Sequence, residues 1–137
     1  MASIRREVSV DIPAASAWSA LADFGNAGAL FAGVLTKCRR IGDVRMVTFA
    51  NGRQIAERLV ALDNGARRIV YTALNGTFSH HSASMQIVED GPACKFVWTS
   101  DFLPDEAAAN VAPLVEAGCR AIKQNLEQAF QPAARTG

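Results

Sequence analysis

Hydrophobic and polar residues alternate with a period of two along most of this chain. In residues 4–12 (IRREVSVDI) the apolar side chains of Val8, Val10 and Ile12 fall on one face, and polar side chains fall on the other. Successive side chains of a β-strand point to opposite faces. This segment is therefore predicted to be a half-buried strand.

Six more alternating segments follow, and most of them end at short turn sequences. The clearest turn is Asn51-Gly52, a strong signal for a two-residue hairpin. Short strands at this spacing, joined by tight turns, predict an antiparallel meander. The six segments are VLTKCRRI, VRMVTFA, RQIAERLVAL, RRIVYTAL, HHSASMQIVE and CKFVWTSDF.

A helical period appears twice. After the first strand, Pro13 suits a helix start, and Trp18 and Leu21 follow at helical spacing; the short segment GNAGALFAG predicts a second small helix. From Asp105 onwards, apolar residues recur every three or four positions as far as Phe130. This predicts a helix of about seven turns with one apolar stripe.

Two prolines affect the course and the end of that long helix. Pro113 lies inside the predicted helix, where it should kink the helix or delay its start. Pro132 is expected to end it.

The order of the elements predicts an α+β fold. A curved antiparallel sheet of seven strands would grip the long C-terminal helix, with two short helices after strand 1. We expect residues 1–137 to form one domain, because this length suits a single core. A strongly curved sheet around a helix leaves a gap that would be a natural ligand cavity.

This layout resembles the helix-grip fold of the START/SRPBCC superfamily, and within it the bacterial polyketide cyclase/dehydratase and lipid-transport branch. The matching segments are PAASAWSALADFGN, GDVRMVTFANGRQIAERLVALDNGARRIVY, FVWTSDFLP and the closing LVEAGCRAIKQNLEQ. The resemblance implies either carriage of a hydrophobic molecule or cyclase/dehydratase chemistry. It also implies that the glutamate of ERL..LD, which is Glu57 here, faces the cavity.

Composition narrows the choice of partners. A net charge of +1 gives no field for steering nucleic acid, and no stretch is long and apolar enough for membrane insertion. The three cysteines are widely spaced and predict small core residues rather than a zinc site. We expect a cytoplasmic protein, monomer or homodimer, without metal or other cofactor.

Three candidate catalytic residues are Glu57, Tyr71 and His81. In strand four, Glu57 shares the more apolar face with Ile55, Leu59 and Ala61, so that face should point inward. Burial there should raise the pKa of a lone carboxyl unless a partner compensates. Tyr71 is placed inside by the resemblance, since periodicity alone leaves its face ambiguous.

The adjacent His80 and His81 must project to opposite faces of their strand. His81 falls on the core face, whereas His80 should point outward or lie at the rim, so the two cannot easily bind one metal ion. The remaining inward positions are candidates for the wall of the cavity. These candidate ligand-binding residues are Ile55, Leu59, Ala73, Phe78, Ala83, Met85, Phe96, Trp98, Asn110, Val111, Leu114 and Gly118.

Three functional hypotheses follow. The first is a protein that binds a hydrophobic, aromatic or polyketide/lipid-like small molecule between sheet and helix. The alternative is a cyclase/dehydratase-type enzyme in which Glu57 acts as base and Tyr71 and His81 act as donors. A protein that modulates another protein through its loops is the third, although no feature of the sequence favours it.

Overall fold

The computed structural model describes residues 2–130. Its seven strands, numbered in chain order, are β1 (Ala2–Val10), β2 (Leu35–Ile41), β3 (Val44–Phe49), β4 (Gln54–Asp63), β5 (Arg68–Ala73), β6 (His80–Asp90) and β7 (Ala93–Leu103). The helices are α1 (Ala14–Ala22), α2 (Ala27–Leu30) and α3 (Ala108–Ala129), with 3₁₀ turns at Phe24–Asn26 and Asp105–Ala107.

The strands form one antiparallel sheet in the order β1-β7-β6-β5-β4-β3-β2. Strands β2 to β7 are therefore a continuous meander, and β1 pairs with the last strand of that meander. Helix α3 packs on the sheet, chiefly against β1. This is the helix-grip α+β fold, and the prediction from the hydrophobic pattern is confirmed.

A β-bulge in β4 changes one predicted orientation. The pairing of β4 with β5 shifts between Leu59 and Ala61, so Val60 is an extra residue in the strand. An extra residue reverses the alternation beyond it. Leu62 now lies opposite the buried Ile69 although it is itself 39% exposed, and Ala61 is exposed as well. The prediction that Ala61 faces inward is therefore wrong.

Helix α3 buries the predicted apolar stripe. Its buried residues are Val111, Val115, Gly118, Cys119, Ile122 and Leu126. The helix contains Pro113, which is exposed, and regular α-helix begins only after the 3₁₀ turn at Asp105–Ala107. Pro132, expected to end the helix, lies outside the described residues. Within residues 2–130, no helix is sufficiently long and apolar to span a bilayer.

Gly118 sets how closely α3 approaches the sheet. A Cβ atom at this position would overlap Cζ3 of Trp98 and lie 3.2 Å from Cη2. We expect Gly118→Ala to lower the free energy of unfolding by about 1–2 kcal/mol, because the cost of overpacking exceeds the gain in helix propensity. Urea denaturation measures this.

Gly65→Ala is the matched control for that variant. Gly65 lies in an exposed turn, where a Cβ would make an ordinary 3.4 Å contact with Asp63. Its stability should match that of the parent protein. A Gly118→Ala protein at least as stable as the parent would show that the indole and the helix adjust without cost.

Candidate functional site

A cavity of about 430 Å³ lies between the concave face of the sheet and α3. All three candidate catalytic residues, Glu57, Tyr71 and His81, line it. So do eight of the twelve candidate ligand-binding residues: Ile55, Ala73, Phe78, Met85, Trp98, Asn110, Val111 and Leu114.

Four other candidates do not reach the cavity wall. Ala83 and Phe96 are fully buried among core side chains, at 1% and 0% exposure. Leu59 packs against the core where β4 approaches its bulge. Gly118 is covered by the Trp98 indole, so the room left by its missing side chain is taken by that ring.

Part of the cavity wall, including one face of β3, was not predicted from the sequence. Val47 and Phe49 line the cavity, and Arg45 is buried on the same face of the strand. Alternation in VRMVTF could have identified this face, because Arg45, Val47 and Phe49 occupy every second position. Phe31 after α2 also lines the cavity, and so does Ser100, which the alternation in β7 had already placed on the inward face.

Arg45 is the partner that Glu57 needs. The two residues are directly opposite each other in the β3–β4 register. Nε of Arg45 donates a hydrogen bond of 2.8 Å to Oε1 of Glu57, and both side chains are largely buried, at 8% and 13% exposure. Glu57 is therefore not the lone carboxyl that the sequence suggested.

Two aromatic rings and a backbone carbonyl hold the guanidinium of Arg45. Its Nη1 donates to the carbonyl oxygen of Phe24 at 3.1 Å. Its Cζ lies 4.1 Å from the centre of the Phe24 ring and 4.9 Å from that of Tyr71. Arginine suits such a position because its planar cation stacks on aromatic faces.

Burial and pairing act on the Glu57 carboxyl in opposite directions. Burial raises its pKa above the ordinary value, while the charge and hydrogen bond of Arg45 lower it. Because Arg45 stays protonated in proteins, it favours the carboxylate form. Glu57 thus presents a hydrogen-bond acceptor to the cavity, backed by a cation outside the cavity wall.

Tyr71 remains a neutral phenol. Burial raises the pKa of its hydroxyl above the usual range, and the neighbouring Glu57 charge adds to this rise. Arg45 and Trp98 oppose the rise without cancelling it. Tyr71 can therefore donate a hydrogen bond into the cavity at any physiological pH.

His81 is held in one tautomer. Its Nδ1 accepts a 2.9 Å hydrogen bond from the backbone N–H of Ala73, so the proton of the neutral ring is on Nε2. Burial lowers the pKa of His81 to about 4, with a smaller contribution from His80. The ring is stacked obliquely on Phe78, with centroids 4.9 Å apart. His80 is exposed.

Together these groups make an apolar chamber with a few fixed polar atoms. A carboxylate, a phenol and a neutral imidazole face it, and aromatic rings form much of the remaining wall. Within residues 2–130, no three acidic, histidine or cysteine side chains are grouped so that they could hold a metal ion.

Residues 1–133 match the model of the family described as polyketide cyclase/dehydrase and lipid transport. The chain belongs to this family. No protein with a curated description is significantly similar to it in sequence.

Solved structures of this family's fold superimpose closely on the chain. A Thermobifida fusca protein is 27% identical, with a TM-score of 0.76, over 95% of this chain and 96% of that one. The di-domain ARO/CYC protein BexL, from the BE-7585A biosynthetic pathway, is 19% identical with a TM-score of 0.83, over 96% of this chain and 48% of its own. Norcoclaurine synthase from Thalictrum flavum, solved with dopamine and hydroxybenzaldehyde, is 21% identical with a TM-score of 0.73, over 96% and 88% of the two chains.

The pKa of His81 makes the stability of this family member depend on pH. In the folded protein this pKa is about 4, which lies below the ordinary histidine pKa of 6.5. The unfolded chain therefore binds more protons between these values, and stability falls as the pH decreases from 6.5 to 4. His81→Asn should flatten this part of a plot of unfolding free energy against pH, because asparagine does not titrate.

His80→Asn is the control, since this neighbour is exposed and should leave most of the slope in place. NMR titration of the His81 ring protons provides a direct check of the pKa. A His81 ring that titrates near 6.5 would contradict the burial effect.

The Arg45–Glu57 pair gives a second prediction. Arg45→Met leaves a buried carboxyl without its cation and should lower the free energy of unfolding by about 3–5 kcal/mol. The double variant Arg45→Met/Glu57→Gln should lose clearly less, because it removes both charges.

Arg58→Met serves as control for loss of an arginine. Arg58 is exposed and its nitrogen lies 3.8 Å from an oxygen of Asp43, so its loss should cost less than about 1 kcal/mol. If Arg45→Met and Arg58→Met lower the free energy of unfolding equally, the buried pair stabilises the protein no more than an exposed one.

Proposed function

We propose that this protein binds a hydrophobic, aromatic or polyketide/lipid-like small molecule in the cavity between the sheet and α3. The observation that carries the proposal is an open, mainly apolar chamber that also holds Glu57, Tyr71 and His81. A volume of about 430 Å³ lies within the range of small-molecule sites. Apolar walls with a few placed polar groups are typical of such sites.

The wall chemistry supports an aromatic ligand in particular. Rings of Phe31, Phe49, Phe78 and Trp98 face the chamber. Aromatic side chains favour offset or edge-to-face contact with another ring. Glu57 would accept a hydrogen bond from a ligand hydroxyl, and Tyr71 and His81 would donate to ligand oxygens.

Blocking the chamber tests this proposal. Leu114 lines the cavity and is half-buried, so Leu114→Trp should fill part of it. We expect the affinity for N-phenyl-1-naphthylamine, a neutral aromatic probe that fluoresces in apolar sites, to fall at least roughly tenfold, since the ring would lose its apolar contacts. Fluorescence titration measures the dissociation constants.

Leu74→Trp is the matched control. Leu74 is 45% exposed and does not line the cavity, so the probe should bind this variant as it binds the parent. If the parent protein does not bind the probe, or if both variants bind it equally well, the chamber is not the binding site.

The second candidate function is a cyclase/dehydratase-type reaction. Its support is that a carboxylate and two neutral donors face one chamber, in a fold shared with an ARO/CYC protein. Glu57 would take a proton from carbon next to a carbonyl, and Tyr71 or His81 would donate to the developing oxyanion. Burial raises the pKa of Glu57, which suits a base, and the Arg45 cation opposes this rise without cancelling it.

Glu57→Gln separates the two functions, because it keeps the shape and removes the base. An enzyme that uses Glu57 loses turnover in this variant while still binding its substrate. If the ligand binds to the parent protein but is never converted, binding alone is the function. The cytoplasmic location and the monomeric or dimeric state stay predictions.

A further inference from the structure

The mouth of the cavity is marked by those wall residues that are exposed to solvent. They come from the β3–β4 turn, the β5–β6 loop and the first turns of α3. The four exposed lining residues are Asn51, Arg53, Thr77 and Asn110. The catalytic candidates Glu57, Tyr71 and His81 line the cavity as well, but all three are buried or half-buried. The cavity therefore has a solvated end and an enclosed end.

Arg53 brings a positive charge to the solvated end. Among the described residues that line the cavity, it is the one with a permanent positive charge. None of the ion pairs within residues 2–130 involves Arg53. Asp105 and Glu106 precede the lining residue Ala107, but neither of these acids lines the cavity. The guanidinium of Arg53 thus offers its N–H donors to an anion that arrives at the mouth.

The position of Arg53 is fixed by its backbone and by a glycine. Its N–H donates a 2.9 Å hydrogen bond to Oδ1 of Asn51, and its carbonyl oxygen accepts a 2.8 Å hydrogen bond from the N–H of Phe49. The guanidinium lies against the β5–β6 loop, where a Cβ at Gly76 would be 3.4 Å from Nη2. Gly76 has a φ of +107°, a conformation that suits glycine. Its missing side chain leaves the space beside the guanidinium open.

The charges along β4 give the cavity a direction. Arg53, Ile55 and Glu57 occupy every second position and all line the cavity. At the rise of an extended strand, the first and last of them are separated by about 13 Å. A ligand carboxylate at the enclosed end would meet the like charge of Glu57. At the mouth it would meet Arg53 and stay in contact with water, so it would avoid the cost of burying a charge.

We propose that Arg53 determines the charge and the orientation of the ligand: it binds the carboxylate of an amphipathic molecule at the mouth, while the apolar body of that molecule lies in the chamber. The proposal rests on the binding function proposed above and adds the residue that selects among apolar ligands. Arginine suits this position because its planar fork matches both oxygens of a carboxylate.

The test compares 2-naphthylacetate with 2-naphthylacetamide, which have nearly the same shape and differ by one negative charge at neutral pH. Their dissociation constants are measured by NMR titration. The charge preference is the dissociation constant of the amide divided by that of the carboxylate, and it should exceed one in the parent protein. We expect Arg53→Gln to lower this preference roughly three- to tenfold, because the pair is charge-assisted but partly solvated.

Two further variants separate Arg53 from a general effect of charge. Arg39→Gln removes one positive charge at an exposed position that does not line the cavity, and it should leave the preference unchanged. Arg53→Lys keeps the charge at the mouth without the fork, and it should restore part of the preference that Arg53→Gln loses. Added salt should lower the preference of the parent protein more than that of Arg53→Gln.

The orientation is measured in the parent protein, so this result does not depend on any variant. Met85 lines the enclosed end and is 2% exposed. Nuclear Overhauser effects should connect the naphthyl protons of 2-naphthylacetate with the methyl group of Met85, and the methylene next to the carboxylate with the Arg53 side chain. The reverse set of contacts would contradict the proposed orientation.

Failure of this proposal is distinct from failure of the binding function. If both compounds bind in the chamber, but the parent protein and Arg53→Gln have the same charge preference, Arg53 does not select the ligand and the binding function stands. An equal loss of preference in Arg39→Gln would likewise assign the effect to net charge. If neither compound binds to the parent protein, the proposed binding function fails together with the role of Arg53.

Discussion

The interior of this protein is organised by the buried ion pair of Arg45 and Glu57. The antiparallel register of β3 and β4 places the two residues opposite each other. The guanidinium is held against the Phe24 ring and carbonyl, and so ties the turn after α1 to the sheet. Isolated charges are costly to bury, so each partner can stay in this apolar interior because of the other. The polar character of the cavity follows, since Glu57 supplies its acceptor, and burial together with the Glu57 charge keeps Tyr71 a phenol.

The Arg45–Glu57 pair also affects whether Glu57 could act as a base. A base that removes protons from carbon works best with a pKa near the operating pH. Burial moves the pKa of Glu57 towards such a value, and Arg45 opposes this rise without cancelling it. His81 is kept neutral, with Nδ1 engaged by Ala73. Contacts with Arg45 and Ala73 therefore fix Glu57 and His81 in place as hydrogen-bonding groups of the cavity wall.

Much of the fold could be predicted from the sequence, because period-two and period-3.6 patterns map directly onto strands and a gripping helix. The inward faces of β6 and β7 followed in the same way, whereas that of β5 came from the family resemblance. Ala61 was misplaced because a bulge depends on cross-strand pairing, which a single strand's pattern does not contain. Arg45 was missed because a charged residue on an apolar face is normally taken as exposed, and its partner comes from another strand. The sequence also could not show that Gly118 makes room for Trp98 and not for a ligand. This depends on how closely α3 and β7 approach each other, which side-chain packing determines.

The position of β1 has a consequence for how the chain acquires its structure. This strand is first in the sequence, yet its partner β7 is the last strand, with Val10 opposite Cys94 and Ala2 opposite Phe102. Such long-range pairing raises the contact order and slows folding. During synthesis, β1 must wait until the ribosome has delivered the whole meander. Until β7 is delivered the β6 edge exposes unpaired backbone groups, and β7 does so afterwards until β1 pairs with it; a second nascent chain could capture either edge.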